Sequence, residues 1–244
     1  MDRLTGKVAI ITGAARGMGA SHARKFISEG AKVVIADIIE DEGKSLAEEL
    51  GDNATFFKLD VTNKDNWESV VAATEEAFGP VNVLVNNAGI SMNKSIDDIT
   101  EEDYRKIIDI NQVSVFLGMK AIIPSIRKAD GGSIVNISSM NGIIGGAIGY
   151  TDTKFAVRGS TKAAALDLSH EGIRVNSVHP GVTETPMIAQ GDSKDVIQEF
   201  AKHIPNKRIA KPEEVSNLVC FLASDESSYS TGSEFVVDGG LTAQ

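Results

Sequence analysis

Cysteine, aromatic side chains and positive charge are all scarce in this sequence. The 244 residues include one cysteine, Cys220, so no intramolecular disulfide can form. Aromatic residues make up 5% of the chain, and 24 Lys and Arg against 34 Asp and Glu give a net charge of −10. Because no segment concentrates positive charge enough to neutralise a phosphate backbone, nucleic acid is not expected as a partner.

Long hydrophobic runs and a leader-like start are also missing. No apolar run approaches the roughly 18 residues that cross a bilayer. The start, Met1-Asp2-Arg3-Leu4-Thr5-Gly6-Lys7, has neither an apolar signal core nor a cleavage site after it. These features predict a cytoplasmic protein without a membrane partner, and the 42% hydrophobic content is ample for a sizeable core.

Short β-branched runs alternate with longer segments of helical spacing along the whole chain. This alternation predicts an α/β domain with a doubly wound parallel sheet and helices on both faces. Seven strands are expected at 8–12, 32–37, 54–59, 83–86, 133–138, 174–179 and 234–237. Helices are expected at 17–30, 41–50, 64–78, 101–127, 148–170, 186–203 and 212–224. No linker or repeat divides residues 1–244, so a single domain is predicted, in which 185–208 either packs permanently or covers the substrate.

A glycine-rich turn follows the first predicted strand. Gly13, Gly17 and Gly19 form the pattern Gly-x₃-Gly-x-Gly directly before helical spacing begins, with Arg16 and Met18 among them. Backbone N–H groups in such a turn can approach a pyrophosphate at the positive end of a helix dipole. The pattern differs from the common dinucleotide fingerprint, so a tight strand-to-helix turn without a ligand is the alternative.

Acidic residues at the ends of the next two strands indicate which dinucleotide would bind. The Asp37 carboxylate can accept hydrogen bonds from ribose hydroxyls and would repel a 2′-phosphate, which favours NAD(H). Arg16 argues weakly for the opposite choice, because a guanidinium could meet that phosphate. Asp60, which precedes Val61, could contact an adenine amino group or merely cap a turn.

Tyr150 and Lys154 are four residues apart at the start of a predicted helix, so their side chains leave from the same face. An ammonium near a phenol lowers the phenol's pKa from about 10 towards neutrality. A phenol tuned in this way can act as a general acid and base. In isolation, however, a tyrosine and a lysine at this spacing usually only share a surface.

An ordered set of motifs connects these pieces. In chain order they are Gly13-x₃-Gly17-x-Gly19, Asn86-Asn87-Ala88-Gly89, Asn111, Ser138-Ser139, Tyr150-x₃-Lys154 and Pro180-Gly181. From Leu4 to Gln244 the chain resembles the short-chain dehydrogenase/reductase family, and within it the bacterial secondary-alcohol dehydrogenases and 3α/20β-hydroxysteroid dehydrogenases. The resemblance implies a Rossmann-type fold, NAD(H)-dependent hydride exchange with a secondary alcohol or ketone, and a homotetramer.

The resemblance also implies a role for each matching residue. Tyr150 would exchange a proton with the reacting oxygen, Ser139 would bind that oxygen, and Lys154 would lower the tyrosine pKa and hold the nicotinamide ribose. Asn111 would hold a relay water. Further cofactor contacts are implied for Asn87, Ala88, Gly89, Pro180, Gly181, Val182 and Thr185. For Thr185, capping of the next helix is the alternative.

The loop between Ser139 and Tyr150 is about two residues shorter than is usual in this family. Its paired glycines are expected to widen or reshape the substrate entrance. Side chains that could line this entrance, or instead pack in the core, are Met140, Ile148, Met187 and Ile188. His179, a lone histidine at a strand end, is expected to be structural.

The C-terminal segment suggests an assembly. An apolar last strand is predicted at a sheet edge, where burial against an identical subunit removes an association hazard. The ending is also similar to that of certain alcohol dehydrogenases in which the terminal carboxylate binds a structural Mg²⁺. Gln244 is therefore a candidate metal ligand, with a free, frayed terminus as the alternative.

Three further functions remain open. A 3α/20β-hydroxysteroid dehydrogenase is the second candidate. A 3-oxoacyl-carrier-protein reductase is disfavoured because an acidic carrier would be repelled by a chain of net charge −10. A non-catalytic NAD-binding protein is disfavoured because both Tyr150 and Lys154 are present.

Overall fold

A seven-stranded parallel sheet forms the centre of the molecule in a computed structural model that describes residues 2–186 and 194–243. The strands are β1 Val8–Thr12, β2 Lys32–Asp37, β3 Ala54–Lys58, β4 Val83–Asn86, β5 Gly132–Ile137, β6 Ile173–Pro180 and β7 Glu234–Val237. Their order across the sheet is β3-β2-β1-β4-β5-β6-β7, and every neighbouring pair is parallel. The predicted fold class is confirmed, with strand ends shifted by no more than one residue.

Helices cover both faces of this sheet. They are α1 Gly17–Ser28, α2 Glu40–Leu50, α3 Lys64–Phe78, α4 Glu101–Ile108, α5 Ser114–Lys128, α6 Tyr150–Leu168, α7 Lys194–Ala201 and α8 Pro212–Ala223. Successive strand side chains point to opposite faces, so Ile11 packs in a core cluster with α1 and α8, whereas Ile10 packs in another with α3, α5 and α6. Two hydrophobic cores therefore hold the helices against the sheet.

The helix predicted at 101–127 consists of three consecutive segments. Thr100 caps α4 through a reciprocal pair of hydrogen bonds with Asp103. A π turn, Asp109–Val113, then separates α4 from α5. Inserted π turns add a residue to the helical repeat and occur frequently at functional sites. Asn111 lies in this turn and is completely buried.

By length and composition alone, the continuous helix Glu101–Lys128 could cross a membrane, with a mean hydropathy of 1.3 in its most apolar window. The expectation that no segment approaches this length is thus wrong for the described helices. A core helix passes the same test, and Val115, Met119, Ile122 and Ile126 are buried in the core cluster beneath this helix. Core packing therefore accounts for part of its apolar character, since 39% of the window is buried.

Two other helix boundaries differ from expectation. The helix predicted at 148–170 begins at Tyr150, because Gly149 has a φ of +78° and donates its N–H to the Asp152 carboxylate at 2.8 Å. The helix predicted at 186–203 is described over Lys194–Ala201, and residues 187–193 lie outside the described part of the chain. The proposed covering role of 185–208 stays a prediction.

Candidate active site

The candidate residues gather at the C-terminal edge of the sheet, where ligands bind in open α/β folds. Four strands end there in segments that carry the predicted motifs. The glycine turn follows β1, Asn87 follows β4, Ser139 follows β5, and Gly181 follows β6. Parallel register thus brings together side chains that are far apart in the sequence.

The three turn glycines have different surroundings. A Cβ at Gly13 would lie 2.9 Å from Ala88 Cα, and a Cβ at Gly19 would lie 2.8 Å from the Asn87 side-chain nitrogen. These two positions therefore exclude larger residues. Gly17 has a φ of +59° and faces Thr185, whose Cβ would be 3.7 Å from a Cβ there. The turn is a close-packed cradle of backbone N–H groups at the start of α1, which fits a pyrophosphate.

Thr12, which sequence reasoning missed, joins the glycine turn to the segment after β4. Its hydroxyl oxygen accepts the N–H groups of Asn87 and Ala88, each at 3.0 Å. The Asn87 side chain donates back to the Thr12 carbonyl at 2.8 Å. A threonine at a strand end directly before a glycine turn is the signal that could have revealed this clamp.

Asp37 ends β2 beside the glycine turn, as predicted. Its carboxylate accepts the N–H of Ala15 at 3.0 Å and the N–H of Ile39 at 3.1 Å. Two N–H donors leave acceptor capacity on both oxygens. Arg16 is exposed on the turn and forms no ion pair with the described residues, so its guanidinium is free to meet solvent or a ligand.

Asp60 borders a large cleft next to the ends of β2 and β3. The cleft has a volume of about 850 Å³, and its walls include Ile38, Asp60 and residues of α4 and the π turn. One Asp60 oxygen also accepts the N–H and hydroxyl of Thr62, at 2.9 and 2.7 Å. Asp60 therefore caps the turn at Thr62, and it also borders the cleft. Val61 is buried and packs in the core.

Asn111 and Lys154 approach the same point, next to Gly89. A Cβ at Gly89 would lie 3.3 Å from Asn111 Oδ1 and 3.7 Å from Lys154 Nζ. The Asn111 amide also forms a pair of 2.8 Å hydrogen bonds with the backbone of Ile90. The π turn thus places a buried amide against the segment after β4, close to the lysine.

Lys154 is buried at 4% exposure in the first turns of α6. Its Nζ donates to the Ile137 carbonyl at 2.8 Å, and Ser138 donates its hydroxyl to the Lys154 carbonyl at 2.9 Å. Burial lowers the pKa of Lys154 to about 8. The lysine therefore titrates near neutral pH while β5 holds it in place.

Tyr150 lies between Ser139 and Lys154. Burial raises the pKa of its phenol, whereas a hydrogen bond with Ser139 acts in the opposite direction. Lys154 Nζ lies 5.5 Å from the ring centroid, and the tyrosine pKa is raised rather than lowered. The expectation that Lys154 lowers the tyrosine pKa is therefore not met in this arrangement, because desolvation is the dominant influence.

The short loop after Ser139 is folded back on itself. Met140 begins a 3₁₀ turn, Met140–Gly142, and is half-buried. Gly145 has open space around it, but a Cβ at Gly146 would collide with the Asn141 side chain. Gly145 is therefore exposed to solvent, whereas a side chain at position 146 would require the Asn141 side chain to move.

Ile148 lies at a separate groove instead of in the core. With Ile96, Ile99 and Tyr104 it borders a space of about 360 Å³ at the start of α4. Met187, Ile188 and Gln244 lie outside the described residues. Over 2–186 and 194–243, no group of three His, Cys, Asp or Glu side chains is arranged to hold a metal ion.

The segment after β6 leads from the edge of the sheet to the glycine turn. Pro180 is the last residue of β6, and Gly181 donates its N–H to Val237 at 3.0 Å. A Cβ at Gly181 would lie 2.7 Å from Asp238 Cα, so only glycine fits there. The Val182 carbonyl accepts the N–H of Ala210 at 2.9 Å. The chain then reaches Thr185 beside Gly17, which places Thr185 next to the glycine turn.

A buried amide network beneath the site was not predicted as such. Asn86 donates to Asn136 at 2.9 Å, and Asn136 donates to the Thr161 hydroxyl at 3.0 Å. All three side chains are at least 96% buried, and they connect β4, β5 and α6. Asparagines in otherwise apolar strands were the available signal, since buried polar groups require partners.

Comparison with known proteins places this site in a family. A family model described as Enoyl-(Acyl carrier protein) reductase matches residues 13–242. A 3-alpha-(or 20-beta)-hydroxysteroid dehydrogenase of Mycobacterium bovis is 52% identical over 99% of this chain and 91% of its own length. A cyclopentanol dehydrogenase of Comamonas is 45% identical over 100% of both chains.

A third relative bears on cofactor choice. The NADP-dependent (R)-specific alcohol dehydrogenase of Lentilactobacillus kefiri is 42% identical over 100% of this chain and 99% of its own length. Family members use a nicotinamide cofactor, and the named relatives oxidise alcohols. The ordered motifs, the fold and these matches agree. This chain belongs to the short-chain dehydrogenase/reductase family and is an oxidoreductase that acts on hydroxyl groups.

Proposed function

We propose that this enzyme is an NAD(H)-dependent alcohol dehydrogenase or carbonyl reductase for ring-bearing secondary alcohols and their ketones. The observation that carries the proposal is the convergence of Ser139, Tyr150, Lys154 and Asn111 at the edge of the sheet that also holds the glycine turn. A proton-exchanging group and a dinucleotide cradle are the two parts that such a reaction needs.

The cofactor would be held by residues from several strand ends. Gly13, Gly17 and Gly19 would present N–H groups to its pyrophosphate, and Asp37 would bind the adenosine ribose. Asp60, with the backbone of the adjoining Val61, would border the adenine, since the Val61 side chain packs in the core. Asn87, Ala88, Gly89, Pro180, Gly181, Val182 and Thr185 would complete the binding surface, together with Arg16 and Met18. When bound, the nicotinamide supplies or accepts the hydride.

The remaining chemistry is proton movement by the protein. Tyr150 Oη would protonate the carbonyl oxygen during reduction and remove the alcohol proton during oxidation. Ser139 Oγ would donate a hydrogen bond to the same oxygen as charge develops on it. Lys154, with a pKa of about 8, stays largely protonated at neutral pH, and its positive charge would offset part of the desolvation that raises the Tyr150 pKa. The Asn111 amide would hold a water that connects Lys154 to solvent.

Asp37 supports NAD(H) over NADP(H). A carboxylate at the ribose would meet a 2′-phosphate at close range with no opposite charge supplied by its own hydrogen bonds, which come from backbone N–H groups. Arg16 favours NADP(H) instead, because its guanidinium could bind the 2′-phosphate, and one relative is NADP-dependent. The cofactor preference must therefore be measured. The preference for NAD(H) therefore rests on one charge.

The ring-bearing substrate class rests on the named relatives and on the entrance. Their printed names specify hydroxysteroids and cyclopentanol. Half-buried Met140 lies directly after Ser139. Residues 185–208, including Met187, would cover the bound substrate. The runner-up within this class is a dedicated 3α/20β-hydroxysteroid dehydrogenase.

We also propose a cytoplasmic homotetramer. Phe116 on α5 and Leu166 on α6 are 54% and 81% exposed, and β7 is an edge strand with Val236 at 46% exposure. Apolar surface of this kind supports burial against identical subunits. Binding of Mg²⁺ near Gln244 is retained as a prediction.

A side-by-side kinetic panel tests the function. Cyclopentanone, a steroid ketone, a simple aryl ketone and a 3-oxoacyl thioester are each reduced with NADH and with NADPH. The highest kcat/KM is expected for a ring-bearing ketone with NADH. Preferred turnover of the acyl thioester would contradict the substrate class, and tight NADH binding without turnover of any carbonyl would indicate a non-catalytic protein.

A further inference from the structure

A fully buried imidazole lies directly behind the loop that carries Ser139. His179 is on β6, one residue before Pro180, and both His179 and its neighbour Ser177 have 0% exposure. The imidazole takes no part in the proton transfers described above. Its two ring nitrogens nevertheless both have partners, one of which is the backbone of Ser139.

The partners of His179 determine which nitrogen carries the proton. His179 Nδ1 lies 3.0 Å from the Ser139 carbonyl oxygen, which can only accept, so Nδ1 must be the donor. His179 Nε2 lies 2.9 Å from Ser177 Oγ and accepts its hydroxyl proton. Burial lowers the pKa of His179, which keeps the ring neutral. Ser177 therefore donates to His179, and His179 donates to the Ser139 carbonyl, so every hydrogen bond in this chain runs in the same direction.

The imidazole acts on a residue whose hydroxyl has a fixed direction. The Ser139 carbonyl also accepts the N–H of Gly142 at 2.9 Å, and Ser139 Oγ accepts the N–H of Asn141 at 3.1 Å. A Cβ at Gly142 would lie 2.5 Å from Ser138 Oγ, so the turn is packed tightly against β5. Ser139 also forms a side-chain hydrogen bond with Tyr150, so a contact that holds the Ser139 backbone also holds a hydroxyl that reaches the tyrosine.

Charged groups from α6 and β7 hold the far end of the same turn. Arg158 Nη1 donates to the Gly142 carbonyl at 2.7 Å. Arg158 also pairs with Glu234 at 2.8 Å, and Glu234 pairs with Lys162 at 2.9 Å. His179 and Arg158 therefore hold the two ends of the turn after Ser139.

We propose that His179 is a positioning residue that aims the Ser139 hydroxyl at the reacting oxygen by donating Nδ1–H to the Ser139 carbonyl. This inference rests on the proposed role of Ser139. It assigns a function in turnover to a strand histidine that the sequence indicated to be merely structural. Misplacement of a positioning contact by a fraction of an ångström lowers kcat while substrate and cofactor still bind.

Two amide substitutions separate this role from simple filling of space. In His179→Asn the side-chain nitrogen replaces Nδ1 and can still donate to Ser139, whereas in His179→Gln the amide nitrogen replaces Nε2 and cannot. We expect His179→Gln to lower kcat for ketone reduction about tenfold, with KM for NADH within twofold of wild type. We expect His179→Asn to stay within threefold of the wild-type kcat.

A Ser139→Ala background provides the control. If His179 acts through the Ser139 hydroxyl, adding His179→Gln to Ser139→Ala changes kcat by less than twofold. An equal tenfold loss in both backgrounds would overturn the proposal, as would a His179→Gln enzyme with at least half the wild-type kcat. If Ser139→Ala alone retains the wild-type kcat, Ser139 does not have its proposed role in the reaction. If Ser139→Ala loses turnover but His179→Gln keeps the wild-type kcat, only the positioning role of His179 is wrong.

Two further measurements test the role of His179 even if His179→Gln does not fold. Ser177→Ala removes the donor to Nε2 and weakens the fixed tautomer, so kcat should fall at least twofold; an unchanged kcat would contradict the role. In ¹⁵N-histidine-labelled wild-type protein, the His179 ring should show a protonated Nδ1 and an unprotonated Nε2. The opposite tautomer would exclude donation to Ser139.

Discussion

At the scale of single residues, Asp37 carries the charge on which cofactor choice depends. We expect the wild-type enzyme to prefer NADH over NADPH at least tenfold in kcat/KM, which corresponds to about 1.4 kcal/mol. Asp37→Asn keeps acceptor geometry for Ala15 but removes the charge, so the preference should shrink to within about threefold; Asp37→Gly should erode or reverse it. Better use of NADPH by the wild-type enzyme would show that Arg16 outweighs Asp37.

Lys154 makes stability depend on pH in a defined window. Its pKa is about 8 in the folded protein, below its ordinary value of 10.5. The unfolded chain thus binds more protons between these values, and the lysine's contribution to stability rises with pH through this window. We expect the wild type to gain about 2 kcal/mol relative to Lys154→Met between pH 7 and pH 9.5. Parallel urea-unfolding curves for the two proteins over this range would contradict the burial of a charged lysine.

At the scale of elements, the packing of α1 against α8 contains a buried histidine. His22 lies 2.8 Å from Ser216 Oγ through Nδ1, and its Nε2 has no hydrogen-bond partner among the described residues. Burial lowers the pKa of His22 from 6.5 to about 3. Below pH 6.5, His22 binds a proton in the unfolded chain but not in the folded chain, so the free energy of unfolding must fall as the pH drops.

This linkage gives a measurable acid sensitivity. Between pH 7 and pH 5 the wild type should lose about 2 kcal/mol of unfolding free energy relative to His22→Gln. The exposed His170→Gln serves as the matched control and should follow the wild type. If His22→Gln loses as much stability as the wild type over this range, burial between α1 and α8 does not keep His22 unprotonated in the folded protein.

Elements were largely predictable because hydrophobic periodicity determines which face each one buries. Strand ends agree within one residue, and α4 begins at the predicted residue, Glu101, directly after the Thr100 cap. The π turn at Asn111 could not be inferred, since it depends on the amide pairing with Ile90, a contact across the fold. The start of α6 at Tyr150 likewise depends on the positive φ of Gly149.

The position of the candidate site could be predicted, but its electrostatics could not. Helical spacing indicated Tyr150 and Lys154, the family resemblance indicated Ser139, and the structure brings these three residues together. The sign of the Tyr150 pKa shift was not accessible, since it depends on how deeply the phenol is buried. The contacts of Thr12 and His179 were missed for a related reason: each involves backbone groups that only the assembled sheet brings near.

At the scale of the whole molecule, apolar surface remains on the described chain. The face of α6 that carries Phe155 and Leu166 is exposed, as is Val236 on the edge strand β7. Light scattering should therefore give a mass about four times that of one 25.9 kDa chain. Leu166→Glu places a charge on this face and should reduce the mass, whereas Glu48→Gln on α2 should leave it unchanged. A single-subunit mass for the wild type would refute the assembly.

The terminal segment gives a separate whole-molecule prediction. Thr242 is held by two hydrogen bonds to the Asp238 carboxylate, at 2.8 and 2.7 Å. Deletion of residues 242–244 should weaken the tetramer, and a chelator should lower Tm without changing the initial rate of hydride transfer. A Tm that does not change when a chelator is added would show that no structural Mg²⁺ stabilises the protein.

The most direct test of the central claim is the turnover of Tyr150→Phe. The phenyl ring keeps the shape of the side chain but has no proton to exchange, so the variant should fold and bind NADH with wild-type affinity. Its kcat for reduction of the best ketone in the panel should fall at least a thousandfold, equivalent to about 4 kcal/mol. A Tyr150→Phe enzyme that retains a tenth of wild-type turnover would contradict the assignment of Tyr150 as the general acid and base.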